Sequence, residues 1–138
     1  MGMDARVSPK LEWLIPYLDT GVSMLPKRKK IIRLGAWDIK KSRGKLVHAA
    51  IFQDGDNGQY RIWMHTHIKV KKKIRPYTKI EILENLAHEI AHTAHWVHSC
   101  DHKIVECKIL VKFMRMLKKE KYVSEEEEEA RLKAENKW

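Results

Sequence analysis

The sequence is poor in the residues that staple or punctuate a chain. Its 138 residues include two cysteines, Cys100 and Cys107, six glycines and four prolines. So few cysteines exclude a disulfide scaffold, and they suit a reducing, cytoplasmic compartment. No apolar run approaches the roughly 20 residues that span a bilayer, so no membrane-spanning helix and no membrane partner is expected. The opening segment, MGMDARVSPKLEWL, lacks a long apolar stretch, so no secretory leader is expected either. Hydrophobic residues make up 43% of the chain, too many for wholesale disorder. The length predicts a single domain over residues 1–121, followed by a charged, flexible tail over 122–138.

Acidic residues are scarce in the first part of the chain. Residues 1–80 hold 18 Lys and Arg against 6 Asp and Glu, whereas residues 81–138 hold 10 against 12. The basic residues cluster at 27–30, 40–43 and 71–73, and the acidic ones at Glu125 to Glu129. Such clusters favour phosphates through counterion release, so residues 27–79 are a candidate surface for non-specific nucleic acid. Ordinary solubility is the competing reading of the same charge.

The apolar pattern predicts an α+β fold. Ser8 and Pro9 open a short helix to Leu18, with Leu11, Leu14, Ile15 and Leu18 on one face and Pro16 interrupting it. Three strands follow, over 30–37, 45–53 and 59–70. Arg43-Gly44 and the Asp54–Gly58 stretch are the turns between them, which predicts a small, mainly antiparallel sheet. The third of these strands is the candidate edge for holding an extended peptide. The period then changes from 2 to 3.6. Thr78, with Glu81 three residues on, caps a helix over 79–94, and a supporting helix is expected over 102–121.

Chemistry concentrates in the stretch from Leu86 to His102. It holds one H-E-x-x-H match, at His88, Glu89 and His92, in the middle of a predicted amphipathic helix. Residues four apart share a helical face, so two imidazoles there can reach one zinc ion at about 2.0–2.1 Å. Glu89 is rotated from His88 by about 100°. It can therefore serve a metal-activated water as general base without occupying a coordination position. A catalytic zinc needs a third protein ligand and an open position. His98 can supply it if the helix stops near His95 and the chain bends. His102 and the carboxylate of Glu106 are alternatives, with His95 and Cys100 further candidates. His65 and His67 on the third strand, and Tyr77 before the helix, are candidates for lining the cleft or stabilising a transition state. Trp96 is expected to cover the apolar floor of the site. Asp101 could orient a ligand histidine or cap the next helix.

The run His88-Glu89-Ile-Ala-His92-Thr-Ala-His95-Trp-Val-His98-Ser99 resembles the H-E-x-x-H-x5-H segment of compact zincin-type metallopeptidases, including the SprT-like, WLM and YgjP-like families. The segment Gly58-Gln59-Tyr60-Arg61-Ile62 resembles a strand that precedes the active helix in that group. The resemblance spans roughly residues 45–117. It implies a zincin-like helix, one Zn2+ per chain on His88, His92 and His98, Glu89 as general base, and hydrolysis of protein or peptide substrates. Its SprT-like side implies action near DNA. An aromatic residue shortly after Ser99 and a W-G-S-C segment, both usual in the group, are missing here. A contrasting expectation is a non-catalytic basic module. In it a zinc closed by four ligands, His98 and His102 both among them, would hold the domain together while its surface contacts nucleic acid or a structural partner. A third is another metallohydrolase, because the motif specifies activated water more firmly than a peptide.

Overall fold

In a computed structural model, residues 6–27, 29–37, 49–53 and 58–135 are described. Strand β1 (Arg6–Val7) leads into a 3-10 helix at Pro9–Leu14 and then α1 (Ile15–Ser23). Strands β2 (Lys30–Trp37), β3 (Ala49–Gln53), β4 (Gln59–His65), β5 (His67–Val70) and β6 (Lys73–Pro76) follow. Helices α2 (Lys79–His92), α3 (Cys100–Lys119) and α4 (Glu125–Ala134) complete the chain. Among the described residues no helix is long and apolar enough to cross a membrane.

The α+β expectation holds, but the sheet differs from the mainly antiparallel one expected. Four strands lie in the order β1-β2-β4-β3; β1 with β2 and β2 with β4 are parallel, and only β3 with β4 is antiparallel. Alternation of side chains reports which face is buried and is blind to strand direction, which is why the parallel pairs escaped the sequence. The expected third strand is also two strands. The chain leaves the sheet at Thr66, whose carbonyl accepts from the Tyr77 amide at 2.9 Å, and β5 pairs instead with β6 in a separate hairpin. With β2 on one side and β3 on the other, β4 has no free edge. Among the described residues the edge strands are β1 and β3, and β3 is the one that lines the cleft described below, so the candidate peptide-holding edge moves there. Arg43-Gly44 and Asp54 to Asn57, expected as turns, lie outside the described residues, as do Arg28 and residues 40–43 of the basic clusters.

Pro16 explains the broken first helix. A proline has no amide to donate and is tolerated in the first helical turn. It sits in the first turn of α1, so the segment becomes a 3-10 turn followed by a new helix. The core lies between the helices and one face of the sheet, with Leu34, Ile62 and Met64 from the strands meeting Leu83, Leu86, Ile90 and Phe113 from α2 and α3. Gly21 lets α1 approach closely: a Cβ there would lie 2.7 Å from Ile90 Cδ1.

The β5–β6 hairpin turns through two lysines, Lys71 and Lys72, at φ 49° and 68°. Two-residue hairpin turns need positive φ at both positions, which favours Asn-Gly. A side chain in that region costs roughly 1–2 kcal/mol. Replacing Lys71 and Lys72 by Asn and Gly is therefore expected to stabilise the fold by about 1 kcal/mol and raise the thermal midpoint by a few degrees. An unchanged or lower midpoint in calorimetry would contradict this reading of the turn.

The acidic segment expected as a mobile tail carries α4, and α4 reaches back to the start of α2. Glu128 is buried; both its carboxylate oxygens accept from the Lys79 amide at 3.0 Å, and the Tyr122 hydroxyl donates to it at 2.6 Å. The Thr78 hydroxyl donates to Glu125 at 2.7 Å. Carboxylates at a helix N-terminus satisfy its orphan amides and suit its positive end. Glu81 closes the expected capping box on Thr78 and is gripped by both terminal nitrogens of Arg75 at 2.9 and 3.1 Å. Burial raises the Glu81 pKa, but the Arg75 and Thr78 bonds outweigh it and hold the carboxyl below its ordinary value.

Candidate metal centre

Helix α2 ends at His92, where the Thr93 hydroxyl donates back to the Ile90 carbonyl at 2.7 Å. The chain then turns through residues 93–99. Ser99 starts α3 by accepting from the His102 amide at 3.3 Å. This early stop is the condition under which His98 can return to the motif. His88, His92, His98 and His102 form one cluster, with a ligand atom from each within 4.8 Å of the others. This cluster could bind a metal ion.

Within the cluster three nitrogens form a tight triangle. His88 Nε2 to His98 Nε2 is 3.0 Å, His98 Nε2 to His92 Nε2 is 3.0 Å, and His92 Nε2 to His88 Nε2 is 3.2 Å. Bonds of 2.0–2.1 Å in a tetrahedron put ligand atoms about 3.3 Å apart. The triangle therefore has the size and chemistry that a tetrahedral metal ion needs. Two of these rings are oriented from behind. His88 Nδ1 faces Glu106 Oε1 at 2.7 Å, and His92 Nδ1 faces the His95 carbonyl at 3.3 Å. An acceptor at Nδ1 fixes the proton there and leaves Nε2 as a lone pair, the usual arrangement behind a metal-bound imidazole.

His102 and Glu106 take supporting positions. His102 is buried, its ring is 4.3 Å from that of His92, and its Nε2 faces the His88 carbonyl at 3.2 Å. A nitrogen that donates to a carbonyl cannot also offer a lone pair. Its Nδ1 lies 3.6 Å from the same Glu106 oxygen that holds His88. Burial, and then the neighbouring imidazoles, lower the pKa of His92; burial first also lowers that of His102. Both shifts favour the neutral rings that metal binding and hydrogen bonding require.

Glu89 shares the neighbourhood. It is 5% exposed and its pKa is pushed up to about 7, chiefly by burial, with nearby His88 opposing and Glu106 adding to the rise. It lines a cleft of about 660 Å³ together with His88, His92, His98, Trp96 and the strand residues Ala49 to Ile51. Trp96 does not cover an apolar floor as expected; it is 55% exposed and stands at the rim. Asp101 is exposed in the first turn of α3, and the orienting carboxylate is Glu106 instead.

His65, His67 and Tyr77 do not line this cleft. His65 is buried against Trp37, with ring centroids 5.1 Å apart. His67 Nδ1 pairs with the Thr66 hydroxyl at 2.9 Å. Tyr77 is packed before the first turn of α2, where burial pushes its hydroxyl up to about 12. Along a helix rising 1.5 Å per residue that is roughly 16 Å from His88. Cys100 and Cys107 are both exposed and free. Glu84 and Asn85 line the cleft without having been singled out. They precede His88 by four and three residues, so helical spacing alone points to them.

Compared with known proteins, the chain matches no family model, no curated protein and no solved structure.

Proposed function

We propose that this chain is a zinc-dependent endopeptidase in which His88, His92 and His98 hold one zinc ion through Nε2 and Glu89 is the general base. The observation that carries this reading is the triangle of three Nε2 atoms at 3.0–3.2 Å opening on a cleft that also contains a buried glutamate. When bound, zinc supplies a Lewis acid that lowers the pKa of water toward about 7 and polarises a carbonyl. The side chains do the rest. Glu89 takes a proton from the attacking water and hands it to the leaving amine. The burial of Glu89, which raises its pKa in the metal-free chain, supports this role. Glu106 and His102 hold His88 in place. His102, engaged with a backbone carbonyl, would not serve as a fourth protein ligand, which favours an open catalytic site over a closed structural zinc.

Among the described residues no strand pairs with the outer edge of β3, which supports binding of an extended peptide backbone along Ala49 to Ile51, with the small side chains of Ala49 and Ala50 beside the histidines. The all-imidazole donor set suits several transition metals. Zinc is preferred because a redox-inert Lewis acid beside a glutamate base is sufficient for hydrolysis. The proposal includes an intracellular setting and carries over from the SprT-like resemblance an action near DNA.

Elemental analysis of tag-free protein tests the centre. About one zinc per chain is expected, together with cleavage of an unfolded protein substrate that stops on chelation and returns with zinc. A protein that carries no metal, and takes up none when zinc is added to the folded chain, would overturn the proposal.

A further inference from the structure

The helices pack on the sheet face that carries Leu34, Ile62 and Met64. The opposite face has a different composition, and the strand register makes it legible. Arg6 on β1 pairs with Arg33 on β2, Arg33 pairs with Arg61 on β4, and Arg61 pairs with Phe52 on β3. One row across all four strands therefore reads Arg, Arg, Arg, Phe. The neighbouring row pairs Gly35 with Trp63 and Trp63 with Ala50, and the next pairs Trp37 with His65. Trp37 and Trp63 are stacked, 6.3 Å between centroids and 12° between planes. The Trp63 ring lies over Gly35 so closely that a Cβ at that glycine would sit 2.5 Å from it.

Three cations in register repel one another, and an apolar or solvated surface gains nothing from aligning them. Arg6 and Arg33 are exposed, and Phe52 is 43% exposed at the end of the row. The Arg33 guanidinium lies over the Trp63 ring, 4.8 Å from its centroid, so the ring holds one arginine of the row in place. Arg61 Nε is buried and makes no hydrogen bond. A row of guanidiniums beside flat aromatic rings offers two things at once: anion contacts at a regular spacing and faces for stacking.

We propose that this sheet face binds a single-stranded polynucleotide, with Arg6, Arg33 and Arg61 on successive phosphates, Phe52 stacking a base, and Trp63 supporting Arg33 from the sheet. Single strands are held in this way, by a positive track combined with aromatic platforms that accept any base. A duplex hides its base faces and would use only the arginines. Polyglutamate matches the charge but has no ring to place on Phe52. The site lies on the sheet face away from the core helices and does not depend on the metal centre.

The test is fluorescence anisotropy with labelled oligodeoxythymidylate of about 15 nucleotides, a length suited to sheet-sized sites. Each protein is titrated at several salt concentrations. R33Q/R61Q is expected to weaken binding at least tenfold and to flatten the salt slope by about 1.4, since each single-strand phosphate contact contributes about 0.7. F52A is expected to weaken binding about fivefold or more with the slope unchanged, the signature of lost stacking. K108Q/K112Q removes the same charge from exposed positions on α3 and is expected to change affinity less than twofold. Oligouridylate should bind as well as oligodeoxythymidylate, because neither contact reads the 2′-hydroxyl.

Equal loss in the two charge-matched double variants would overturn the proposal in favour of diffuse attraction. So would unchanged affinity in F52A, or binding of the same sequence as a duplex, or of polyglutamate, as tight as that of the single strand. Circular dichroism checks each variant's fold. F52A, on an exposed edge residue, keeps the test decisive if R33Q/R61Q unfolds.

Discussion

Glu89→Gln is expected to lower kcat for protein hydrolysis by about 10²–10⁴ while zinc content stays at about one per chain. Glutamine keeps the shape of the side chain in a position that is 5% exposed, so the fold and the three imidazoles are undisturbed. It cannot accept a proton. The size of the loss follows from the role, because general acid–base groups contribute that much and no other carboxylate replaces it cheaply. Glu106 is committed to His88 at 2.7 Å, and Glu84 is further along the cleft wall. The check is paired: turnover of an unfolded substrate protein, and elemental zinc on the same preparation. Full activity in the variant would rule out Glu89 as the base. Loss of zinc along with activity would place Glu89 in the metal shell.

The second large effect separates His98 from His102. His98→Ala is expected to abolish stoichiometric zinc binding, as His88→Ala and His92→Ala should. His102→Ala is expected to keep one zinc per chain with an affinity 10–100-fold lower, the usual cost of losing a group that orients a ligand. The distinction rests on where the nitrogens point. His98 Nε2 is 3.0 Å from its counterparts on both His88 and His92, whereas His102 Nε2 faces the His88 carbonyl at 3.2 Å. Competition against a chromophoric zinc chelator measures all four variants in one series. The reverse order, with zinc retained without His98 and lost without His102, would exchange the two assignments.

Much of this was legible in the sequence, and particular residues show why. Thr78 and Glu81 set the start of α2, and Leu83, Leu86, Ala87, Ile90 and Ala91 set its buried face, because capping and helical period are local properties. The bend that returns His98 could be anticipated from ligand spacing. The division of labour between His98 and His102 could not, since it depends on which way two rings face after the bend. Tyr77, His65 and His67 misled because neighbourhood in sequence stood in for neighbourhood in space; a helix start lies several turns from its middle, and the strand carrying the two histidines divides between two sheets. Strand direction was equally hidden. Arg33 and Arg61 are far apart along the chain, and only the parallel register of β2 with β4 aligns them. The charge of α4 read as solvation because charge runs usually are; two of its glutamates, Glu125 and Glu128, have specific partners at Thr78 and Lys79.

Those two partners belong to the first turn of α2, and His88 and His92 belong to its last turns. The helix is thus a single rod, tied at one end by carboxylates and, when the proposed centre is filled, at the other by the metal. Each fastening reduces the fraying that the other must overcome, so the two are thermodynamically linked and each strengthens the other by the same factor. A proteolytic nick at Lys121, in the exposed turn before α4, would act at a distance on metal affinity, and metal occupancy would in turn slow the nick. The C-terminal helix is on this view a remote brace for the chemistry.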